Sequence, residues 1–257
     1  MKSVKIAAWM LALMMLLCMN CSVFAAGETF RDVAAGYWAY DAVERAFADR
    51  AVEGSYYDPA TGERRFEPER QVTVAEFTAV LTRSFFPEEL KNAQAGLTLP
   101  STPWYDCYIR AGEAAGLFES VEQLAAQPDK AMIRYDMAVL LSNLFRKFSD
   151  TVPSQLDPAL DPPKAEETVA DWGMIPESYR DAVSLTMASG LLHGVDSKGT
   201  FDGESTLTRA QMVIIYCRVA DWLHSMGKPE LPTDPVDPDP ADPIPVPVPI
   251  QPPTVTE

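Results

Sequence analysis

The chain of 257 residues carries a formal net charge of −16 at pH 7, with 37 acidic and 21 basic residues. Nucleic-acid binding requires a basic surface, so a chain this acidic is expected to have no nucleic-acid partner. With two histidines and no C-x-x-C pair beyond residue 26, the sequence offers no recognisable metal site, and we expect no cofactor.

Residues 1–26 have the features of a secretory signal peptide. Lys2 and Lys5 precede an unbroken apolar run at residues 6–17, and small residues before position 26 suit cleavage. This run is shorter than the about 20 residues that span a bilayer, so no membrane span is expected in the mature chain. Removing two lysines and no acids changes the net charge from −16 to about −18. We therefore expect an exported bacterial protein.

Residues 28–88 are predicted to form a first helix–loop–helix unit. In "WAYDAVERAFADRAVEG" (38–54), apolar residues recur on one helical face, and Gly54 is expected to take the left-handed position that ends the helix. "TVAEF" (73–77) then begins a second helix, in which Thr73 and Glu76 have the spacing of a capping box.

Residues 98–150 are predicted to form a second copy of this unit. "WYDCYIRAGEAAGLFES" (104–120) aligns with the first block without a gap and places Trp104 at the position of Trp38. "IRYDM" (133–137) begins the second helix of the copy, although Ile133 stands where a capping threonine is expected.

Residues 166–226 are predicted to form a third copy. "SYRDAVSLTMASGLLHG" (178–194) keeps the same register, and "LTRAQM" (207–212) begins the last helix with Thr208 and Gln211 as its capping box. The blocks 87–103 and 150–164 are polar and contain prolines, and they are interpreted as linkers between the copies.

The residues from 229 to 257 are rich in proline, which excludes helix and sheet and favours extended polyproline II. We interpret them as a tail or spacer. "LPTDP" within this tail lacks the glycine of a sorting signal, which disfavours covalent anchoring to the wall.

Cys107 and Cys217 remain after the signal peptide is removed. They could form a disulfide in an oxidising compartment, or lie apart as two small buried groups, and the second alternative is favoured. Cys18 and Cys21 each follow a large residue, whereas a lipidated cysteine follows a small one, so a lipoprotein is disfavoured.

The blocks "FRDVAAGYWAYDAVERA" (30–46) and "GLLHGVDSKGTFDGESTLTRAQM" (190–212) resemble the opening and the end of an S-layer homology (SLH) repeat. The resemblance covers about residues 28–226. It implies an all-α fold in which three helix–loop–helix repeats form a pseudo-trimeric, three-pronged spindle with a central helical bundle. It also implies non-covalent binding of a secondary cell-wall polysaccharide linked to peptidoglycan, commonly pyruvylated, in grooves between the repeats, and a location at the cell wall and surface layer.

The arginine of the "TRAQM" block is the first candidate for contact with this polysaccharide. Arg209 occupies the family's arginine position, Arg134 occupies it in the second copy, and Val74 replaces it in the first. A cation in the first turn opposes the helix dipole, but together with free backbone N–H groups it could bind a carboxylate such as a pyruvate ketal. The alternative is an arginine that is solvated or paired with an acid.

Two aspartates and two tryptophans match the family's sugar-contacting positions in part. Asp32 precedes Trp38 by six residues in the first copy, Trp104 matches in the second, and Asp171 matches in the third. A carboxylate could accept hydrogen bonds from sugar hydroxyls while an aromatic ring covers the sugar face. The alternatives are a turn-forming role for the aspartates and a core position for the tryptophans.

The sequence gives no indication of catalysis. Capping explains Glu76 and Asp136, and the chain has no G-x-S-x-G, H-E-x-x-H or phosphate-binding loop. "DSKGTFDGES" lacks the ligand pattern of a calcium loop and is interpreted as a turn. Two hypotheses follow: a non-catalytic wall-attachment module, or a degenerate SLH-like protein whose partner is another exported protein. The sequence does not distinguish a Gram-positive wall from an outer-membrane tether.

Overall fold

The computed structural model describes residues 28–95, 97, 102–149 and 162–226. The predicted signal peptide at 1–26 and the proline-rich tail at 229–257 lie outside these residues, and both stay predictions.

The described part of the chain is mostly helical, as the sequence predicted. The helices are α1 (Tyr40–Ala48), α2 (Val74–Phe85), α3 (Pro87–Ala95), α4 (Asp106–Ala114), α5 (Arg134–Ser149), α6 (Pro162–Thr168), α7 (Glu177–Ala188) and α8 (Arg209–Ser225). A departure from a purely helical fold is a short antiparallel hairpin of β1 (Tyr56–Tyr57) and β2 (Arg64–Arg65). None of the helices within the described ranges combines the length and apolar character needed to cross a membrane.

Both predicted capping boxes are present. The hydroxyl of Thr73 accepts from the Glu76 amide at 3.2 Å, and the Glu76 carboxylate accepts from the Thr73 amide at 3.1 Å. Thr208 and Gln211 make the corresponding pair at 3.3 and 3.0 Å. These bonds satisfy amide groups that have no partner within the helix, which fixes where α2 and α8 begin.

The two predicted linkers are partly helical. Pro87 begins α3, the first turn contains Glu88 and Glu89, and Leu90 is buried. Proline suits the first helical position because its missing N–H has no helical acceptor there, and acids suit the positive end of the helix dipole. The end of the second linker likewise contributes α6.

The first helix of each copy ends differently from the prediction. The left-handed residues that follow α1, α4 and α7 are Arg50 (φ 58), Gly116 (φ 79) and Gly190 (φ 73). The prediction that Gly54 and Gly194 take this role was therefore wrong. Gly54 does have a positive φ, but it lies further along the loop, where a Cβ would meet the Arg65 carbonyl and the Phe30 ring at 2.7 Å.

Arg50→Gly is expected to stabilise the protein by about 0.5–1 kcal/mol, because a residue with a Cβ is strained in the left-handed region. Gly190→Ala is the matched reverse change. No atom lies within 4 Å of its added Cβ, so the expected loss of about 1 kcal/mol reports backbone strain alone. Guanidinium denaturation of both variants measures the two shifts, and shifts of the same sign would contradict the assignment.

Three backbone hydrogen bonds close a ring among distant parts of the chain. The amide of Val72 donates to the Leu207 carbonyl at 2.9 Å, that of Leu207 to Met132 at 3.1 Å, and that of Met132 to Val72 at 2.8 Å. Each of these residues lies just before one of the helices α2, α5 and α8. We refer to residues 28–88, 98–150 and 166–226 as segments one, two and three, so the ring joins all three segments.

The first turns of the same helices extend this cyclic pattern. Two amides at the start of each helix donate to carbonyls in the loop of the next segment, which gives the amide groups external acceptors. The bonds run from Val74 and Ala75 to Lys130 and Pro128, from Arg134 and Tyr135 to Ser205 and Gly203, and from Arg209 and Ala210 to Arg70 and Pro68.

Helix packing follows the same order. Helix α2 packs on α4, α5 on α7, and α8 returns to pack on α1. The last contact includes a 2.9 Å hydrogen bond from the Tyr216 hydroxyl to Asp49 and an ion pair between Arg45 and Asp221 at 2.7 Å. A continuous apolar core runs through the three segments.

The two cysteines of the described chain are both free. Cys107 is buried against α2 and α3, and Cys217 is half-buried on α8. The favoured alternative of two separate thiols is confirmed.

Candidate functional site

The candidate residues meet where the second helix of one segment contacts the loop of the next. We name these places the one–two, two–three and three–one junctions. The first helical residue at each is Val74, Arg134 and Arg209, respectively. The sequence position predicted to bind a ligand thus lies between segments in every case.

Arg209 is buried at the three–one junction, with 5% of its surface exposed. Its Nε donates to the Phe66 carbonyl at 2.7 Å, and its guanidinium lies 4.6 Å from the centre of the Phe66 ring. One terminal nitrogen lies 3.5 Å from a carboxylate oxygen of Glu76. The structure therefore shows the alternative in which this arginine is paired with an acid, and its ligand contact stays a prediction.

Glu76 is the acid at this junction, and it also accepts from the guanidinium of Arg70 and from the Thr73 amide. Burial lowers the pKa of Arg209 to about 10, while the charge of Glu76 acts in the opposite direction. The carboxylate thus compensates in part for the cost of removing a cation from water.

Arg134 repeats this geometry at the two–three junction. Its Nε donates to the Phe201 carbonyl at 2.7 Å, and its guanidinium lies 4.9 Å from the centre of the Phe201 ring. A terminal nitrogen donates to the His193 carbonyl at 2.9 Å. Arg134 is only half-buried, and burial lowers its pKa.

The one–two junction has no cation at the corresponding position, where Val74 is fully buried. The acid on the facing segment is Asp136, which pairs with Lys130 at 2.8 Å and accepts from the Tyr179 hydroxyl at 3.3 Å. Capping was the predicted explanation for Asp136, and these contacts give it a further role between segments.

Asp32 and Asp171 have identical partners in their own segments. The two oxygens of Asp32 accept from the Phe66 and Glu67 amides at 2.8 and 2.7 Å. Those of Asp171 accept from Phe201 and Asp202 at 2.6 and 2.9 Å. These are the loops whose phenylalanine carbonyls receive Arg209 and Arg134, so both carboxylates support the loop in the way expected of a turn-forming residue.

The two tryptophans differ in exposure. Trp38 is 61% exposed beside Tyr37, so the alternative of a core position is wrong for it. Trp104 is half-buried and contacts the rings of Tyr105 and Tyr108. Of the pair, only Trp38 offers a large open aromatic surface to solvent.

Sequence reasoning missed a second set of equivalent residues, ten positions after the start of each second helix. Arg83 donates to the Ala51 carbonyl at 3.1 Å, and Arg218 donates to Leu191 at 3.4 Å. Asn143 donates to Leu117 at 3.0 Å in segment two. The signal was available, because the three residues share one register relative to the capping positions.

His193 lies in the loop that receives Arg134. Burial and the nearby charge of Arg218 lower the pKa of His193 below its ordinary value of 6.5. Within the described residues, no group of histidine, cysteine or acidic side chains is arranged to hold a metal ion. The Asp196 carboxylate in "DSKGTFDGES" accepts from the Lys198 and Thr200 amides, each at 3.0 Å, as a turn residue does.

Comparison with known proteins gives several distant relatives, although no family profile matches the chain. The S-layer protein sap of Bacillus anthracis is 28% identical over 124 residues, which cover 48% of this chain and 14% of the relative. The amylopullulanase of Thermoanaerobacterium thermosulfurigenes is 23% identical over 194 residues, covering 76% of this chain and 10% of that enzyme.

The endo-1,4-beta-xylanase A of Thermoanaerobacterium saccharolyticum is 32% identical over 111 residues, covering 43% of this chain and 9% of the enzyme. The chain thus spans no more than about a seventh of the length of these three relatives. What they share with it is a short segment that occurs both in an S-layer protein and in two enzymes.

Proposed function

We propose that this protein is an exported, non-catalytic attachment module that binds a secondary cell-wall polysaccharide at the cell surface. The observation that carries the proposal is the placement of the arginine position at the junctions between segments, in a chain similar to S-layer proteins. A guanidinium between two segments can bind a carboxylate on a sugar by charge-assisted hydrogen bonds.

The proposal includes three SLH repeats arranged as a three-pronged spindle around a central bundle. The ring of hydrogen bonds among Val72, Met132 and Leu207 supports it, because three equivalent units around one axis would produce such a ring. The cyclic packing of α2, α5 and α8 on the first helices of the next segments supports it as well.

Within this proposal the candidate residues have different roles. Arg134, half-buried, is the leading ligand contact, and the exposed ring of Trp38 is available to a sugar face. Arg209 chiefly holds segments three and one together. Asp32 and Asp171 are positioning residues that hold the loops with Phe66 and Phe201.

The proposal assigns no reaction to the chain. The two enzymes among its relatives match over only 9–10% of their own length, which suits an attachment segment shared by proteins of different activity. We expect no hydrolysis of wall polymer by the purified protein.

Co-sedimentation with purified cell-wall sacculi tests the function. We expect binding that is lost when the secondary polymer is stripped from the sacculi, and that weakens about tenfold or more in Arg134→Ala. Val74→Ala is a control at the equivalent position that has no cation, and it should bind like the unaltered protein. A protein that stays in solution with intact sacculi but captures another exported protein would instead support the protein-interaction hypothesis.

A further inference from the structure

Two arginines at the two–three junction hold the same short loop. Arg134 donates to the His193 carbonyl at 2.9 Å, and Arg218 donates to the Leu191 carbonyl, two residues earlier, at 3.4 Å. The first arginine comes from α5 and the second from α8. Two positive charges from different segments are therefore brought to one point, with the His193 side chain exposed between the carbonyls they bind.

Neither guanidinium is neutralised there. Among the residues that the structure describes, no carboxylate lies within ion-pair distance of Arg134 or Arg218. The charges of Asp171 and Asp202 reach Arg134 from farther away. Both oxygens of Asp171 are already occupied by backbone amides. In a chain with a net charge of −16, an unpaired cationic pair is unusual.

The three–one junction contains the same two arginines but neutralises them. Arg209 lies beside Glu76 at 3.5 Å, and Arg83 lies in the field of Glu53, which favours its charged form. Counted from the left-handed residues Arg50 and Gly190, the position of Glu53 corresponds to that of His193. Counted from the capping threonines, the position of Glu76 corresponds to that of Gln211.

The one–two junction reverses the charge. Val74 and Asn143 take the two arginine positions, while Glu119 and Asp136 take the two facing positions. Four equivalent positions thus sum to a formal charge of about −2 at the one–two junction, +2 at the two–three junction and 0 at the three–one junction when histidine is neutral. Such a difference at fixed backbone geometry changes which ligand each junction can accept.

We propose that Arg134, Arg218 and His193 form a single anion-binding site at the two–three junction, which takes one carboxylate or phosphate group. The two guanidiniums supply the fixed charge, and the imidazole adds a third positive charge when it is protonated. The equivalent places at the other two junctions do not bind anions, because one lacks the arginines and the other already contains carboxylates. This proposal rests on the proposed function only for the source of the anion, which would be a group on the wall polymer.

The site is tested by titrating the full chain with sodium pyruvate, and separately with sodium phosphate, at constant ionic strength. Proton NMR follows the imidazoles of His193 and His224, which are the two histidines of the chain. The arginine Nε–H signals are followed in the same samples. We expect saturable shifts for Arg134 and a rise in the pKa of His193, because a bound anion favours the imidazolium. Signals of Arg209 should not respond.

The relative affinity of the two probes identifies the group. Tighter binding of pyruvate indicates a carboxylate, and tighter binding of phosphate indicates a phosphate group of the polymer. Equal shifts at Arg209 and Arg134, or shifts that chloride reproduces, would overturn the proposal.

A double variant converts the site into its neutralised counterpart. His193→Glu with Gln211→Glu places at the two–three junction the acids that the three–one junction already contains, so the fold is expected to tolerate both. We expect anion affinity to fall about tenfold or more, whereas Arg83→Gln at the three–one junction leaves it unchanged. Anion binding that persists in the double variant, with the protein folded by circular dichroism, contradicts the assignment. If the small anions bind but sacculi do not, the site stands and the proposed function fails.

Discussion

Replacing Arg209 by methionine is expected to lower the free energy of unfolding by about 2–4 kcal/mol, the scale for breaking a buried charge pair. The change removes the 2.7 Å bond to the Phe66 carbonyl and the contact with Glu76, both between segments three and one. At about 2–4 °C for each kcal/mol, the midpoint of thermal unfolding should fall by roughly 5–10 °C. Calorimetry at neutral pH measures it.

Arg134→Met is the matched control for this prediction. It removes the same bond to a phenylalanine carbonyl, but from a half-buried position without a carboxylate partner. We expect a loss of about 1 kcal/mol. If the two variants lose equal stability, the buried pair of Arg209 and Glu76 does not hold the three–one junction.

Gly203→Ala is expected to cost about 2–4 kcal/mol, because it overfills the two–three junction. A Cβ at this position would lie 2.0 Å from the ring of Tyr135. That ring cannot move away easily, since it stacks on Tyr179 at 4.7 Å and on Phe201 at 5.8 Å. Guanidinium denaturation measures the loss.

A second change tests the cause of this loss. The residues that correspond to Tyr135 are Ala75 and Ala210, and the loop residues that face them are prolines, Pro128 and Pro68. Tyr135→Ala should therefore make the double variant with Gly203→Ala less destabilised than the sum of the single changes. Additive losses would mean that Gly203 is required for its backbone and not for the space it leaves.

The local features of the fold were predictable from the sequence where chemistry within one turn decides them. The capping boxes of Thr73 and Thr208 were found because a hydroxyl and an amide or carboxylate three residues apart have one geometry in which both bond. Helix α3 was missed, because its prolines and polar residues resemble a linker until Leu90 has a neighbour to pack against.

The candidate site could be predicted only in part, because its residues are joined by contacts between segments. The sequence indicated that Arg209 opposes the helix dipole, but not that Glu76, 133 positions earlier, would lie beside it. The end of α1 was mispredicted because Arg50 occupies a left-handed position that glycine usually takes. The exposure of Trp38 depends on what lies around it, which the spacing of apolar residues does not report.

The ring of Val72, Met132 and Leu207 has a consequence for how the molecule comes apart. In an open row of units, an end unit can detach by breaking one contact, and the rest of the row remains intact. In a closed cycle every unit has two neighbours, so the release of any one breaks two contacts and leaves two faces uncovered. Partial opening is therefore costly from every starting point, and a proteolytic cut within a loop should leave the pieces associated until the whole cycle melts at once.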